Sequence, residues 1–440
     1  MRREKSVMSV AGGAGGGVLN RSHLVPLAVG VTAFAFRLVL IVWAGPGLPI
    51  EGDTPSYIAI ARSLAEGKGF TIDGTVPTAV RMPLYPLFLA GLYSIPGSGA
   101  GTVQLIQILL DSLTCLMVYY LARKLLDPLH AAVSGFLTAL YLPCAYYSIV
   151  ILSETLFCFL VTASLLVLAV GGARTRYMAL SGGIMGLAAL TRPNGVIVAG
   201  FVILWLAFFV RKPRQVVLYA LAATVLMTPW IARNAVVFHR FIPTYTLSGL
   251  AFYNSYVPPQ KGYGFNGLEG IPDDYILLQN EGDKNAYLIS LTLRHIRAHP
   301  LTAAGSIPVR TALLAYPFDM KWLIPSFPFR YDVFWGAVFI LALAGCAGRF
   351  RWMVERLSLL VFPLLSLLFT ALVLYGSPRI RVPLDPLIAV IASVGLVWVW
   401  ERRDRSIWCI SMAAVHGFLA FAGSLSAVTD TLKRMAPFPH

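Results

Sequence analysis

Residues 24–44 read LVPLAVGVTAFAFRLVLIVWA, an apolar run whose one charge is Arg37. An α-helix needs roughly 20 such residues to cross a bilayer. Comparable runs follow near 104–122, 131–151, 153–171, 177–191, 194–210, 216–232, 333–348, 357–375, 382–400 and 407–428. The pattern predicts an all-α polytopic membrane protein of about eleven transmembrane helices (range about ten to thirteen). Two long connections, 45–103 and 233–332, carry apolar residues at helical spacing and are expected to hold outward-facing amphipathic helices.

Composition agrees. Hydrophobic residues make up 57% of the 440 residues and charged residues 12%, too few charges to cover a soluble surface. The net charge of +15 is not the footprint of a nucleic-acid partner, because the basic residues are not gathered on a soluble, aromatic-studded face. They lie in short gaps between apolar runs. With the N-terminus placed in the cytoplasm, the inner gaps hold Arg123-Lys124, Arg174 with Arg176, Arg211-Lys212 with Arg214, Arg349 with Arg351 and Arg356, and Arg402-Arg403 with Arg405. That is the positive-inside pattern. Residues 1–23 read as a cytoplasmic leader, with Arg2, Arg3 and Lys5 ahead of an uncleaved anchor. Residues 24–400 read as the main membrane domain, with the connections 45–103 and 233–332 included, and 401–440 as a basic gap, a last span and a tail. A bacterial inner membrane with the site on its periplasmic or extracellular side is the expected location.

The outer boundary then holds polar residues that orientation alone does not explain. Glu51-Gly52-Asp53-Thr54-Pro55-Ser56-Tyr57 opens a helix just past the first span, with Thr54 as N-cap and Pro55 at the first helical position. Asp53 and Tyr57 are four residues apart and project toward one point. A carboxylate at that place suits a general base for a hydroxyl or amine, against the plainer reading that it assists the cap. Downstream come Arg81-Met82-Pro83, Ser153-Glu154, Thr191-Arg192-Pro193, Pro229-Trp230 with Arg233-Asn234, and Ser377-Pro378-Arg379-Ile380-Arg381-Val382-Pro383. Arginines against the positive-inside bias point to an anionic ligand.

This order of motifs resembles the C-type glycosyltransferases, and within them the protein O-mannosyltransferase and lipid A aminoarabinose transferase branch, over roughly residues 30–400. The resemblance implies an integral-membrane hexosyl- or pentosyltransferase that takes its sugar from a polyprenyl-phosphate donor and passes it to a lipid, glycan or protein acceptor at the outer face, among membrane lipids. It also implies Asp53 as the catalytic base and Arg81 as a contact to the carrier phosphate. Two departures bear on the acceptor: Thr54 follows Asp53 where the family often has a glutamate, and Arg-Met-Pro stands for Lys-Pro-Pro.

The candidate site is therefore Asp53 as catalytic residue, with Tyr57, Arg81, Glu154, Arg192, Arg233, Arg379 and Arg381 binding substrate. No cofactor is expected: arginines in a dry site can stabilise the departing phosphate, and a divalent cation stays an alternative. His295 and His299 have a zinc-compatible spacing without a third ligand nearby, so a surface helix is the stronger reading. Arg37 either joins the site or snorkels outward. Gln104, Gln107 and Asp111 share one helix face and suit interhelical hydrogen bonds, and Gly182-x-x-x-Gly186 suits a close helix crossing. The loop 253–275 reads as a lid or a plain connection. The five cysteines read as buried apolar residues. A transporter or flippase of lipid-linked sugars is the rival function.

Overall fold

The structure is a computed structural model that describes residues 21–45, 52–257, 271–315 and 333–402. Residues 1–20 of the leader, Glu51, most of the expected lid and the expected span 407–428 lie outside them.

The described chain is helical, with one isolated bridge, Thr71 to Pro77, as its β-pairing. In order it runs α1 (Arg21–Ala44), α2 (Thr54–Ala65), α3 (Leu84–Tyr93), α4 (Ala100–Leu125), α5 (Pro128–Ala139), α6 (Leu142–Ile149), α7 (Glu154–Gly171), α8 (Thr175–Thr191) and α9 (Asn194–Trp205), which ends in a π turn. It continues with α10 (Pro213–Phe238), α11 (Ser248–Tyr256), α12 (Asp274–Leu277), α13 (Glu281–Ala298), α14 (Pro300–Ala315), α15 (Val333–Val373), the short α16 (Pro378–Arg381), a 3-10 turn and α17 (Asp385–Arg402). Among the described residues six helices are long and apolar enough to cross a membrane, or seven if α5 and α6 are one bent span. The expected span 194–210 is present as a shorter apolar helix, and 177–191 lies within the 17-residue helix α8.

One connection differs from expectation. The spans expected at 333–348 and 357–375 are joined in a single 41-residue helix, α15. The basic stretch between them is helical because nothing in it stops a helix. Arg, Met, Glu and Leu are good helix formers, the first internal proline is Pro363, and Arg351 pairs with Glu355 one turn on.

The break between α5 and α6 bends that span by 49°. Pro143 sits in the first turn of α6, and a proline ring there clashes with the carbonyl four residues back, that of Ala139. That carbonyl, and those left open where α6 ends at Ile149, need donors, because lipid supplies none. Arg37 donates to Ala139 O at 2.6 Å. Gln104 donates to Ile149 O at 2.8 Å, and Gln107 to Val150 O at 2.6 Å and Ser148 O at 3.2 Å. Arg37 also pairs with Asp111 at 2.6 Å. It is therefore a fully buried tie between α1, α4 and the break, neither snorkelling nor part of the candidate site.

The α8–α10 crossing rests on the two glycines. A Cβ at Gly182 would overlap the Tyr219 carbonyl, and one at Gly186 would sit 2.6 Å from Ala223 O. At Gly183, between them, the nearest atom is Leu226 Cδ1 at 3.8 Å. Gly182→Ala should lower stability by about 1–3 kcal/mol while Gly183→Ala leaves it unchanged or raised, as read from thermal unfolding in detergent.

Candidate active site

Five charged side chains from distant parts of the sequence meet at one end of the bundle. Asp53 is at the N-cap of α2, and its side chain makes no cap hydrogen bond. It faces two arginines instead: Arg81 Nη2 lies 2.6 Å from Oδ1 and Arg379 Nη2 2.7 Å from Oδ2. Glu154, the first residue of α7, takes Arg192 Nη1 and Arg379 Nε on one oxygen, Oε1, each at 2.5 Å. Its other oxygen, Oε2, is buried with no hydrogen-bond partner among the described residues. Arg379 thus bridges the two carboxylates.

Local structure explains the convergence. Helices α7 and α8 run antiparallel, with Ser164 and Ser181 bonded at mid-length. The residue that starts α7 therefore meets Arg192, which follows the end of α8. Pro193 stops α8 from continuing. Arg379 lies in the first turn of α16, whose N-cap Ser377 accepts from its backbone N–H. Arg81 is held from below by Tyr57, its guanidinium 5.3 Å from the ring centre, and donates through Nε to Ser56 Oγ at 2.8 Å. Tyr57 Oη and Ser153 Oγ share a hydrogen bond of 3.1 Å, and Arg192 donates to the same Ser153 Oγ.

Burial works to raise the Asp53 pKa, but Arg379, then Arg81 and Arg192, outweigh it and hold the carboxyl below the usual carboxylate range. Tyr147, Tyr245 and Tyr375 stand close enough to the cluster to interact with its charges. None of these three tyrosines stands out in the sequence, where aromatic residues are spread through every apolar run.

Two of the sequence candidates go elsewhere. Arg233 donates to Thr78 O at 2.8 Å and lies over the rings of Phe70, Trp230 and Phe238, so it binds the 70–78 segment to α10. Arg381 is buried against Asp385, donates to Leu314 O at 2.9 Å, and shares Asp385 with Tyr141. The imidazoles of His295 and His299 are 4.8 Å apart, and among the described residues no three His, Cys, Asp or Glu side chains converge as a metal site.

The sequence reading missed Glu281. This first residue of α13 accepts from Thr78 Oγ1 at 2.6 Å, the Ala79 N–H at 2.9 Å and Thr246 Oγ1 at 2.8 Å. It thereby fixes the segment that carries Arg81. A cavity of about 1100 Å³ lies beside α2, with Thr54, Ile58, Arg62, Ile41 and Gln104 in its lining. None of the five clustered charges lines it.

Residues 77–232 match the family model described as dolichyl-phosphate-mannose-protein mannosyltransferase. That stretch contains Arg81, Glu154 and Arg192 but neither Asp53 nor Arg379. No curated protein matches the sequence. Among solved structures, the oligosaccharyltransferase of Archaeoglobus fulgidus in the apo form superposes with a TM-score of 0.52 at 16% identity, over 94% of this chain and 56% of that one. ArnT from Cupriavidus metallidurans bound to undecaprenyl phosphate gives 0.53 at 15% identity, over 93% of this chain and 65% of that one. The fold is that of the C-type glycosyltransferases. The chain spans between about half and two thirds of the length of these structures.

The lowered Asp53 pKa fixes the sign of a pH effect. A depressed carboxyl contributes stability that is present above its unfolded value, about 3.9, and lost as pH falls through the folded one. The melting-temperature advantage of the native chain over Asp53→Asn should be present at neutral pH and close below about pH 4. A gap that instead widens in acid would contradict the arginine pairing.

Proposed function

We propose that this chain is a glycosyltransferase that moves a sugar from a polyprenyl-phosphate donor to an acceptor at the outer face of the membrane. The single observation that carries the reading is the position of Asp53, a carboxylate held between Arg81 and Arg379 at one end of a C-type fold. A general base and phosphate-binding cations then stand within one side-chain length of each other. The family-model match over Arg81, Glu154 and Arg192 supports the same reading.

Orientation follows from the charges. The basic residues Arg123 and Lys124 end α4, Arg174 and Arg176 flank the α7–α8 turn, and Arg211, Lys212 and Arg214 join α9 to α10. Glu154 begins α7, so the α7–α8 turn lies some 26 Å away, at about 1.5 Å per residue, on the opposite end of the bundle. The positive-inside rule places that end in the cytoplasm and the Asp53 end outside.

In the reaction, Asp53 takes the proton of the acceptor hydroxyl or amine. The acceptor atom bonds to the anomeric carbon, and the bond from that carbon to the phosphate oxygen breaks, its electron pair leaving with the phosphate. A single displacement inverts the anomeric configuration. Arg81, Arg379 and Arg192 stabilise the growing charge, as fixed cations do in a site of low dielectric. Membranes containing the protein and a labelled polyprenyl-phosphate sugar should transfer label to an acceptor. Asp53→Asn should lower the rate at least about 100-fold, the scale of general-base loss, while donor binding persists. Movement of intact donor across the bilayer without transfer would support a flippase instead.

A further inference from the structure

The two carboxylates of the cluster are not equivalent. Glu154 is sealed in the bundle, its side chain 1% exposed, and holds Arg192 and Arg379 through a single oxygen. Asp53 is 25% exposed, and each of its oxygens meets a different arginine. The two carboxylates and three guanidiniums together leave one positive charge unmatched.

That surplus fits the donor before and after transfer. A sugar phosphodiester carries one negative charge, which brings the occupied site to neutrality. The polyprenyl monophosphate left behind carries up to two, its second pKa being about 6. The extra negative charge appears in the step in which Asp53 gains the acceptor's proton and loses its own. The sum of charges stays at zero throughout, but its distribution changes. A protonated Asp53 no longer holds two arginines, and the phosphate dianion does.

Resting on the donor reading given above, we propose that Glu154 is a permanent counter-ion and Asp53 a temporary one, which hands Arg81 and Arg379 to the carrier phosphate as it takes the proton. Glu154 acts as a positioning residue: it keeps Arg192 and Arg379 in place while their other partner changes. The groups facing Asp53 are Arg81 from the segment before α3, Arg379 from α16, Arg192 from the α8–α9 corner, Glu154 of α7, Tyr57 on its own helix, and Tyr245 and Tyr375. Among these described groups Asp53 is the carboxyl open to an incoming acceptor.

The product complex makes this measurable without turnover. Polyprenyl monophosphate in detergent is titrated into the full-length protein at pH 8, by calorimetry in two buffers of different ionisation enthalpy. Binding should take up about one proton, since the free ligand is a dianion there. The phosphorus resonance of the bound ligand should remain that of a dianion, which puts the proton on the protein. In Asp53→Asn the uptake should fall to near zero with binding retained or tightened. A methyl diester of the same lipid, permanently monoanionic, should bind the native protein with no uptake. A monoanion resonance, absent uptake in the native protein, or uptake that survives Asp53→Asn each overturns the handover. Should Asp53→Asn not fold, the native protein's uptake and resonance decide alone. Failure of the native protein to bind either lipid overturns instead the donor reading.

Discussion

A carbonyl released from its helix inside lipid has to find a donor in the protein, and the rest of this structure is arranged around that demand. Pro143 breaks the span between α5 and α6 and frees the carbonyl of Ala139, and the end of α6 at Ile149 frees those of Ser148, Ile149 and Val150. The answers come from α1 and α4, through Arg37, Gln104 and Gln107. Asp111 neutralises Arg37, and Tyr85 donates to Gln107 at 2.6 Å. The break then delivers the chain to Ser153 and Glu154 at the mouth of the bundle. The polar residues buried between these helices are thus the cost of ending a helix early. An ion pair buried this deeply contributes little net stability, but it is expensive to leave half-made.

The end that carries the charged cluster is governed by a different balance. Its arginines are already paired with carboxylates, so the site is neither a bare cationic sink nor a neutral pocket. Lone arginines facing outward would bind any anion tightly. Pairing them lowers that background affinity and keeps their geometry fixed, which is the condition under which charge stabilisation favours a transition state over a ground state. The serines and tyrosines around the cluster add direction without adding charge.

Much of this was legible in the sequence, for reasons that can be named. Asp53, Arg81, Glu154, Arg192 and Arg379 each stand at the edge of an apolar stretch, which marks them in the sequence; that Arg379 shares their end is shown by its pairing with Asp53 and Glu154, because the span count that put it there divides α15 in two. Arg381 was grouped with Arg379 by its motif, yet residues two apart on a helix face away from each other; the acid four residues on, Asp385, was the better clue to its partner. Arg233 sits beside Trp230, and its aromatic partners at Phe70 and Phe238 are joined to it only by the fold. The single helix α15 was divided in two because charges lower a hydropathy window without breaking a helix. Glu281 carried no signal: it is some two hundred residues from Thr78, and a helix-opening glutamate is ordinary.

Glu281 has a bearing on how such proteins can be recombined. One carboxylate satisfies a hydroxyl and an amide beside Arg81 and a second hydroxyl at Thr246. Grafting the helices that follow α10 from another protein onto this bundle would put a foreign residue where that carboxylate stands. The segment leading to Arg81 would lose its anchor even though no residue of the bundle had been altered. The smallest unit that can be exchanged intact is therefore α13 together with Thr78 and Thr246, a boundary drawn by three hydrogen bonds and invisible along the chain.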